Sequence, residues 1–300
     1  MQLLRYAVLA VVLLGGLGRP VAARDLRLAS WNLEWLVSPA SARAARNHCL
    51  QGETARLPCD VALDGARSSA DFAMLAGYAR QLDADIVAFQ EVEDASTAAK
   101  VFSGYEFCLT GRGEAQNVGF AIRAGLPHRC APDYLPLSLG DSLRRGAVAV
   151  LFPGTADELH LLGVHLKSGC ARDALPSRSR ACLALGRQLP LLGDWIRAEN
   201  AAGHRFAVLG DFNRDLDPDL TTALPEIQGL VDAAQGTPFS NCYPGQTFTR
   251  YIDHILLGGG LARNRAPGSF QRLHYLPRDA RRYRLSDHCP ISILLRTVAR

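Results

Sequence analysis

Lysine is almost absent from this 300-residue chain: of 33 basic residues only Lys100 and Lys167 are lysine, and arginine carries the rest. No C-x-x-C pair occurs among the eight cysteines, which removes the usual zinc-finger and zinc-ribbon spacings. No apolar run reaches the roughly 18 residues that cross a bilayer. No internal repeat or low-complexity tract is present, and nothing in the composition points to disorder, collagen or a coiled coil. A large excess of either charge is also missing. The full chain carries +4, too little to make the whole molecule a polyanion trap.

What is present is 48% hydrophobic residues, enough to bury a large core. The first residues, MQLLRYAVLAVVLLGGLGRPVAARD, follow the plan of an export signal. Basic Arg5 precedes an apolar stretch from Tyr6 to Leu17, Arg19 closes it, and small Val21 and Ala23 stand where a signal peptidase reads. Residues 1–23 are expected to be removed, leaving residues 24–300 as one domain, secreted or periplasmic in a bacterium, monomeric and without a membrane anchor. That leader contains Arg5 and Arg19 and no acid, so the remainder has 31 basic and 29 acidic residues, a net +2. An oxidising destination makes an even cysteine count read as disulfides. Eight cysteines allow 105 pairings. Pairing of sequence neighbours is expected: Cys49 with Cys59, Cys108 with Cys130, Cys170 with Cys182, and Cys242 with Cys289.

Short apolar runs recur: LRLASWN, DIVAFQE, NVGFAIR, GAVAVLF, LHLLGVHL, RFAVLGD, YIDHILL and PISILL. Each suits a buried strand. Two longer segments read as helices. SSADFAMLAGYARQLDA begins at Ser69 as N-cap, and RACLALGRQLPLLGDWIRAEN contains Pro190 as a kink or break. The stretch from Val37 to Arg67 reads as a long, stapled loop, of a length more often functional than incidental. Strands interleaved with few helices, two of them adjacent without a helix between, predict an α/β sandwich of mixed sheets.

FAVLGDFNRDLDPDL, from Phe206 to Leu220, places Asp211, Asn213, Asp215, Asp217 and Asp219 on alternate residues. It is not an EF-hand, since Leu216 and Thr222 stand where that loop needs glycine and glutamate. The alternative comes from the other strands. Several apolar runs end in a carboxylate, amide or imidazole: Asn32, Glu91, His165, Asp211 with Asn213, Asp253, and Asp287 with His288. Gathered at one edge they would give hard oxygen ligands suited to Mg²⁺ or Mn²⁺ and two imidazoles able to move protons. Metal plus proton transfer is what phosphodiester hydrolysis requires. Each residue alone has a plainer reading: Asn32 caps a strand, Glu91 pairs with a surface arginine. The arginines at 172, 178 and 180, and at 278, 281, 282 and 284, read equally as phosphate contacts or solvated charge. Asp215, Asp217 and Asp219 read as a solvated turn with a helix start near Asp217, and His254 as structural. His48, His128, His160, His204 and His274 fall in no pattern.

ASWNLEWL, DIVAFQEVED, HLKS, GDFNRD, YIDHILL and LSDHCPI, in that order over about Leu26 to Leu295, resemble the endonuclease/exonuclease/phosphatase superfamily, deoxyribonuclease I-like. The resemblance implies a four-layer α/β/β/α sandwich of two mixed β-sheets flanked by helices. It implies Mg²⁺ (or Mn²⁺) held chiefly by Glu91 with Asn32 and Asp287 near. Asp211 and Asn213 would handle the attacking water and the phosphate. His288, oriented by Asp253, would be the essential histidine, and His165 a second that protonates the leaving oxygen or steadies the phosphate. Arg145, with Arg144 as alternative, and Lys167 would contact phosphate. Asn117 or Gln116 stands where the deoxyribonuclease branch has a tyrosine. A secreted nuclease acting on DNA or RNA is the expected activity. Inositol-phosphate phosphatase, sphingomyelinase, with FSNCYPGQTF as the nearest thing to its membrane hairpin, and a non-catalytic binding module are the alternatives.

Overall fold

The computed structural model describes residues 25–53, 57–64, 66–111, 115–175 and 177–296; the expected leader lies outside them. Twelve strands form two six-stranded mixed sheets. In chain order they are β1 (Leu26–Leu36), β2 (Ile86–Val92), β3 (Tyr105–Leu109), β4 (Asn117–Arg123), β5 (His128–Tyr134), β6 (Gly146–Leu151), β7 (Leu159–His165), β8 (Phe206–Asp211), β9 (Val231–Asp232), β10 (Asp253–Gly258), β11 (Gln271–Arg272) and β12 (Ile291–Leu295). One sheet has the order β11-β12-β1-β2-β4-β3 and the other β5-β6-β7-β8-β10-β9. β1 runs parallel to β2 and β7 parallel to β8; the remaining pairs are antiparallel.

The layers follow from side-chain alternation. Leu28, Ile86, Ala88, Phe120, Leu161, Leu209, Ile255 and Ile293 face the other sheet and form the central core. Their neighbours Ala29, Trp31, Val87 and Phe89 face outward onto Phe72, Leu75 and Leu82 of a helix at Ser69–Leu82. On the second sheet Leu162, Val164 and Val208 face Leu185, Leu189, Leu192 and Ile196 of a helix at Arg180–Ala201. The result is the helix, sheet, sheet, helix order expected. The helices are α1 (Pro39–Leu50), α2 (Cys59–Leu63), α3 (Ser69–Leu82), α4 (Ala95–Ala98), α5 (Arg180–Ala201), α6 (Pro218–Ala223) and α7 (Pro277–Arg282).

Three local expectations are corrected. The cap of α3 is Ser68, not Ser69, in a reciprocal capping box with Asp71. α5 continues through Pro190, because its apolar stripe on the sheet outweighs the roughly 3 kcal/mol cost of an internal proline. The Val37–Arg67 segment contains two helices, α1 and α2, joined by the Cys49–Cys59 disulfide. The other expected pairs, Cys108–Cys130, Cys170–Cys182 and Cys242–Cys289, are also formed.

Candidate active site

The inward-facing row of each central strand changes from apolar to polar at one end of the sandwich. On β1 Leu28 is followed two residues on by Ser30 and then Asn32; on β7 Leu161 leads to Gly163 and His165; on β8 Leu209 leads to Asp211. β10 runs antiparallel to β8, so its first residue, Asp253, lies opposite Asp211. The strand-end groups therefore come from both sheets and meet in the gap between them. The register of β2 shifts at Gln90/Val92 and that of β1 at Asn32/Leu36. These bulges place Glu91, Glu34 and Trp35 at positive φ, +62°, +46° and +52°, a strained conformation concentrated beside the cleft.

Asn32 Nδ2 donates to Glu91 Oε1 at 3.2 Å and to Asp211 Oδ2 at 3.0 Å, while its oxygen accepts from the Glu34 N–H at 2.9 Å. Asn32 thus bridges a carboxylate of each sheet. Asp211 also accepts from the backbone N–H and side-chain amide of Asn213 at 2.7 and 3.1 Å. Burial, with Asp253 adding to it, raises the Asp211 carboxyl to about 7 although His288 opposes. His288 Nδ1 lies 2.7 Å from Asp253 Oδ2, and its Nε2 faces Asp211 at 3.8 Å. Burial would favour the neutral ring, but Asp253 and Asp211 outweigh it and hold His288 protonated well above the ordinary value. His165 is the opposite case. Burial and then Arg144 push its pKa well below 6.5, and its Nε2 faces Asp211 and Glu91 at 3.5 and 3.7 Å. These two influences favour the neutral ring.

Glu34 was missed from the sequence, although it lies in the quoted ASWNLEWL. Burial, then the nearby Asp287 charge, raises its carboxyl to about 6. Glu34, Glu91 and Asp287 line an open cleft of about 320 Å³ with Asp60 and Asp64 of the α2 region and Arg284. Five carboxylates thus give this space a hard-oxygen lining of the kind divalent cations take, while the strand-end groups whose ligand atoms lie within 4.8 Å of one another are Asp211, Asp253 and His288. The disulfide-linked α1–α2 segment thus lines the same cleft as Glu91 and Asp287.

The frame around these groups is fixed by hydrogen bonds. Tyr275 Oη donates to the His288 carbonyl at 2.6 Å, and Trp31 Nε1 donates to Tyr275 Oη at 3.0 Å. Ser286 Oγ donates to Asn32 O at 2.6 Å and accepts from the His288 N–H at 3.0 Å. Gly210 precedes Asp211 at φ +145°, and a Cβ there would lie 1.9 Å from Val164 O, so only glycine lets β8 close on β7 at this point. Three expected contacts lie elsewhere. Arg145 pairs with Asp141 at 2.8 Å and Asp133 at 3.5 Å, whereas Arg144 donates to the His165 and Leu166 carbonyls at the strand end. Asn117 turns inward, donating to Glu93 O at 2.9 Å and accepting from Thr110 at 3.2 Å. Lys167 Nζ donates to Ser168 O at 2.7 Å. The helix start expected near Asp217 is present, with Asp217 as the cap of α6, but the later aspartates are paired and not simply solvated: Asp217 pairs with Arg214 at 2.5 Å, Asp215 with Arg250 at 2.6 Å, and Asp219 accepts from the Leu175 N–H at 3.1 Å. His254 is structural as expected, buried with Nε2 3.1 Å from Arg214 O.

No curated protein sequence matches the chain. Solved structures share its fold. Truncated TDP2 of Caenorhabditis elegans superposes with a TM-score of 0.60 at 16% identity, over 91% of this chain and 98% of that one. The AP endonuclease LMAP of Leishmania major gives 0.56 at 19% identity, over 91% and 88%. The mannosyl-6-phosphatase Bt3783 of Bacteroides thetaiotaomicron gives 0.53 at 16%, over 90% and 99%. A model of the Endonuclease/Exonuclease/phosphatase family matches residues 29–288. This span holds every strand-end group from Asn32 to His288, and the chain belongs to the endonuclease/exonuclease/phosphatase family.

Proposed function

We propose that the chain is an exported, metal-dependent phosphodiesterase that hydrolyses DNA or RNA, with residues 24–300 as its single catalytic domain. The observation that carries this reading is the convergence of Asp211, Asp253 and His288 at one end of the two sheets, their ligand atoms within 4.8 Å of one another and His288 Nδ1 2.7 Å from Asp253. His288 is held protonated by Asp253, while Asp211, 3.8 Å away, has a carboxyl near 7. A carboxylate with that value accepts a proton from water close to neutral pH, and an imidazolium gives one to a departing alkoxide. Asp211 takes the proton of the attacking water, Asn213 and Asn32 hold its carboxylate in place, and His288 delivers a proton to the leaving oxygen. His165, neutral, donates a hydrogen bond from Nε2 without adding charge. Glu91, Glu34 and Asp287 would hold Mg²⁺ or Mn²⁺, which neutralises phosphate charge when bound.

Nucleic acid is preferred over the alternatives on two grounds. One structural neighbour is named as an AP endonuclease, and the feature that would favour a membrane lipid is lost. Phe239 and Phe248 of FSNCYPGQTF pack with Tyr251 and Arg272 and are not among the exposed large apolar residues. Among the described residues no helix is long and apolar enough to cross a membrane, and the four disulfides support export.

The test is incubation of purified protein with plasmid DNA, RNA, sphingomyelin and sugar or inositol phosphates, with Mg²⁺ or EDTA. Polynucleotide cleavage that EDTA abolishes is expected. Asp211→Ala and His288→Ala should each lower it at least about 10³-fold while circular dichroism stays native. Turnover near wild type in either variant removes the site assignment; cleavage of lipid or sugar phosphate alone removes the substrate assignment.

A further inference from the structure

We infer that the opposite end of the second sheet carries another metal site, formed by Glu158, His160 and His204, which takes a zinc-class divalent cation. Glu158 immediately precedes β7, His160 is the second residue of that strand, and His204 lies in the turn between α5 and β8. Glu199, in the last turn of α5, stands behind both rings. Its Oε2 is 2.9 Å from His160 Nδ1 and 2.8 Å from His204 Nδ1. His204 Nδ1 is hydrogen-bonded to that oxygen, which leaves the Nε2 lone pair of a neutral His204 ring facing away from Glu199.

His160 Nε2 is hydrogen-bonded to Glu158 Oε1 at 2.8 Å, a single contact. A divalent cation would satisfy three, because the two rings lie 4.0 Å apart and a ring nitrogen of each, with a Glu158 oxygen, fall within 4.8 Å of one another. Two imidazole nitrogens and one carboxylate are a zinc-type donor set with a fourth position left over. Glu199 supplies the carboxylate that orients metal-bound imidazoles from behind. The side chains of His160 and Glu199 are 11% and 14% exposed, whereas His204 is 39% exposed. The cluster is thus anchored in the fold and open to solvent on one side.

The ion would clasp the α5–β8 turn to the start of β7. His160 and His165 lie on the same strand, five residues or roughly 16 Å apart at about 3.3 Å per residue, so this site and the strand-end cleft share no ligand. Its role is therefore stability, independent of the phosphodiesterase reading.

Cobalt serves as the probe, titrated in excess Mg²⁺ into the wild-type protein and into Glu91→Gln, which impairs the strand-end cleft. One equivalent giving visible ligand-field absorption, displaced by Zn²⁺, is expected in both, and its loss is expected in His204→Ala and in Glu158→Gln. Zinc at 100 times its Kd should raise Tm by about 5 °C in wild type and Glu91→Gln, and leave His204→Ala unchanged. Absorption that survives both His204→Ala and Glu158→Gln overturns the assignment, and so does a wild-type protein that binds no cobalt outside the strand-end cleft. In the latter case the cluster is a plain hydrogen-bond and ion-pair network.

Discussion

At the residue scale, several arginines act on backbone carbonyls. Arg67, 4% exposed, donates to the carbonyls of Glu34, Trp35, Arg284 and Leu285. It ties the strained end of β1 to the segment that carries Asp287 and His288. Arg144 does the same for His165 and Leu166, and Arg214 for Cys170 and Asp173. Each of the three fastens a segment beside the site, yet the sequence offers for an arginine only phosphate contact or solvated charge, since no spacing rule marks one aimed at distant carbonyls. Arg67→Met keeps much of the volume and removes every donor. Four carbonyls then lose a charged partner in a region closed to water, and the expected loss of stability is about 3–5 kcal/mol. The urea midpoint measures it. Because Glu34 and Asp287 are held through these bonds, the Mg²⁺ concentration for half-maximal hydrolysis should also rise, and an unchanged value would separate Arg67 from the metal cleft.

At the scale of elements, legibility follows burial. All eight apolar runs in the sequence are strands, because central strands covered on both faces must be continuously apolar. β3 and β5 were not read: they are edge strands, with polar residues such as Glu106, Arg129 and Asp133 among their residues. α1 was hidden for a related reason. It has a Ser38 cap and Pro39 in its first turn, but buries only Ala42 and Ala45, so no apolar stripe announces it. The site residues were readable because they continue an inward-facing row by two positions. Glu34 was not, because a bulge aims it, and bulges leave no regular trace in a sequence. The disulfides show the same division of labour. Cys242–Cys289 spans 47 residues and ends beside His288, whereas Cys170–Cys182 spans 12. Loop-closure entropy assigns about 4 kcal/mol to the first and about 3 kcal/mol to the second. Paired replacement by alanine should therefore lower stability by similar amounts in thermal melts. Only the 242/289 pair should reduce kcat, by about tenfold, since it alone fixes the backbone that carries His288. An equal kcat loss from both would mean that global destabilisation, not placement of His288, sets the rate.

For the whole molecule, the sandwich concentrates reactive groups at one end and leaves the surface nearly balanced in charge. Beyond the expected leader, 31 basic residues face 29 acidic ones, and several arginines are already engaged in ion pairs. Arg250 pairs with Asp215, Arg284 with Asp64, and Arg145 with Asp141 and Asp133. The cleft itself is lined by five carboxylates and a single arginine, Arg284, so little positive charge stands at the cleft. A protein that neutralises many phosphates loses affinity steeply with salt, each contact contributing about −0.9 to the slope of log K against log salt for duplex DNA. For this chain the slope should correspond to about two or three phosphates, not the six to ten of a protein with a basic groove. Steady-state KM for plasmid DNA, measured at several NaCl concentrations with Mg²⁺ held constant, reads that slope directly. A short oligonucleotide should then be cleaved with a kcat/KM per scissile bond within about tenfold of the plasmid value, since few remote contacts are lost by shortening it. A slope near six, or a much larger penalty for the short substrate, would reveal an extended phosphate track that the net charge and the paired arginines argue against.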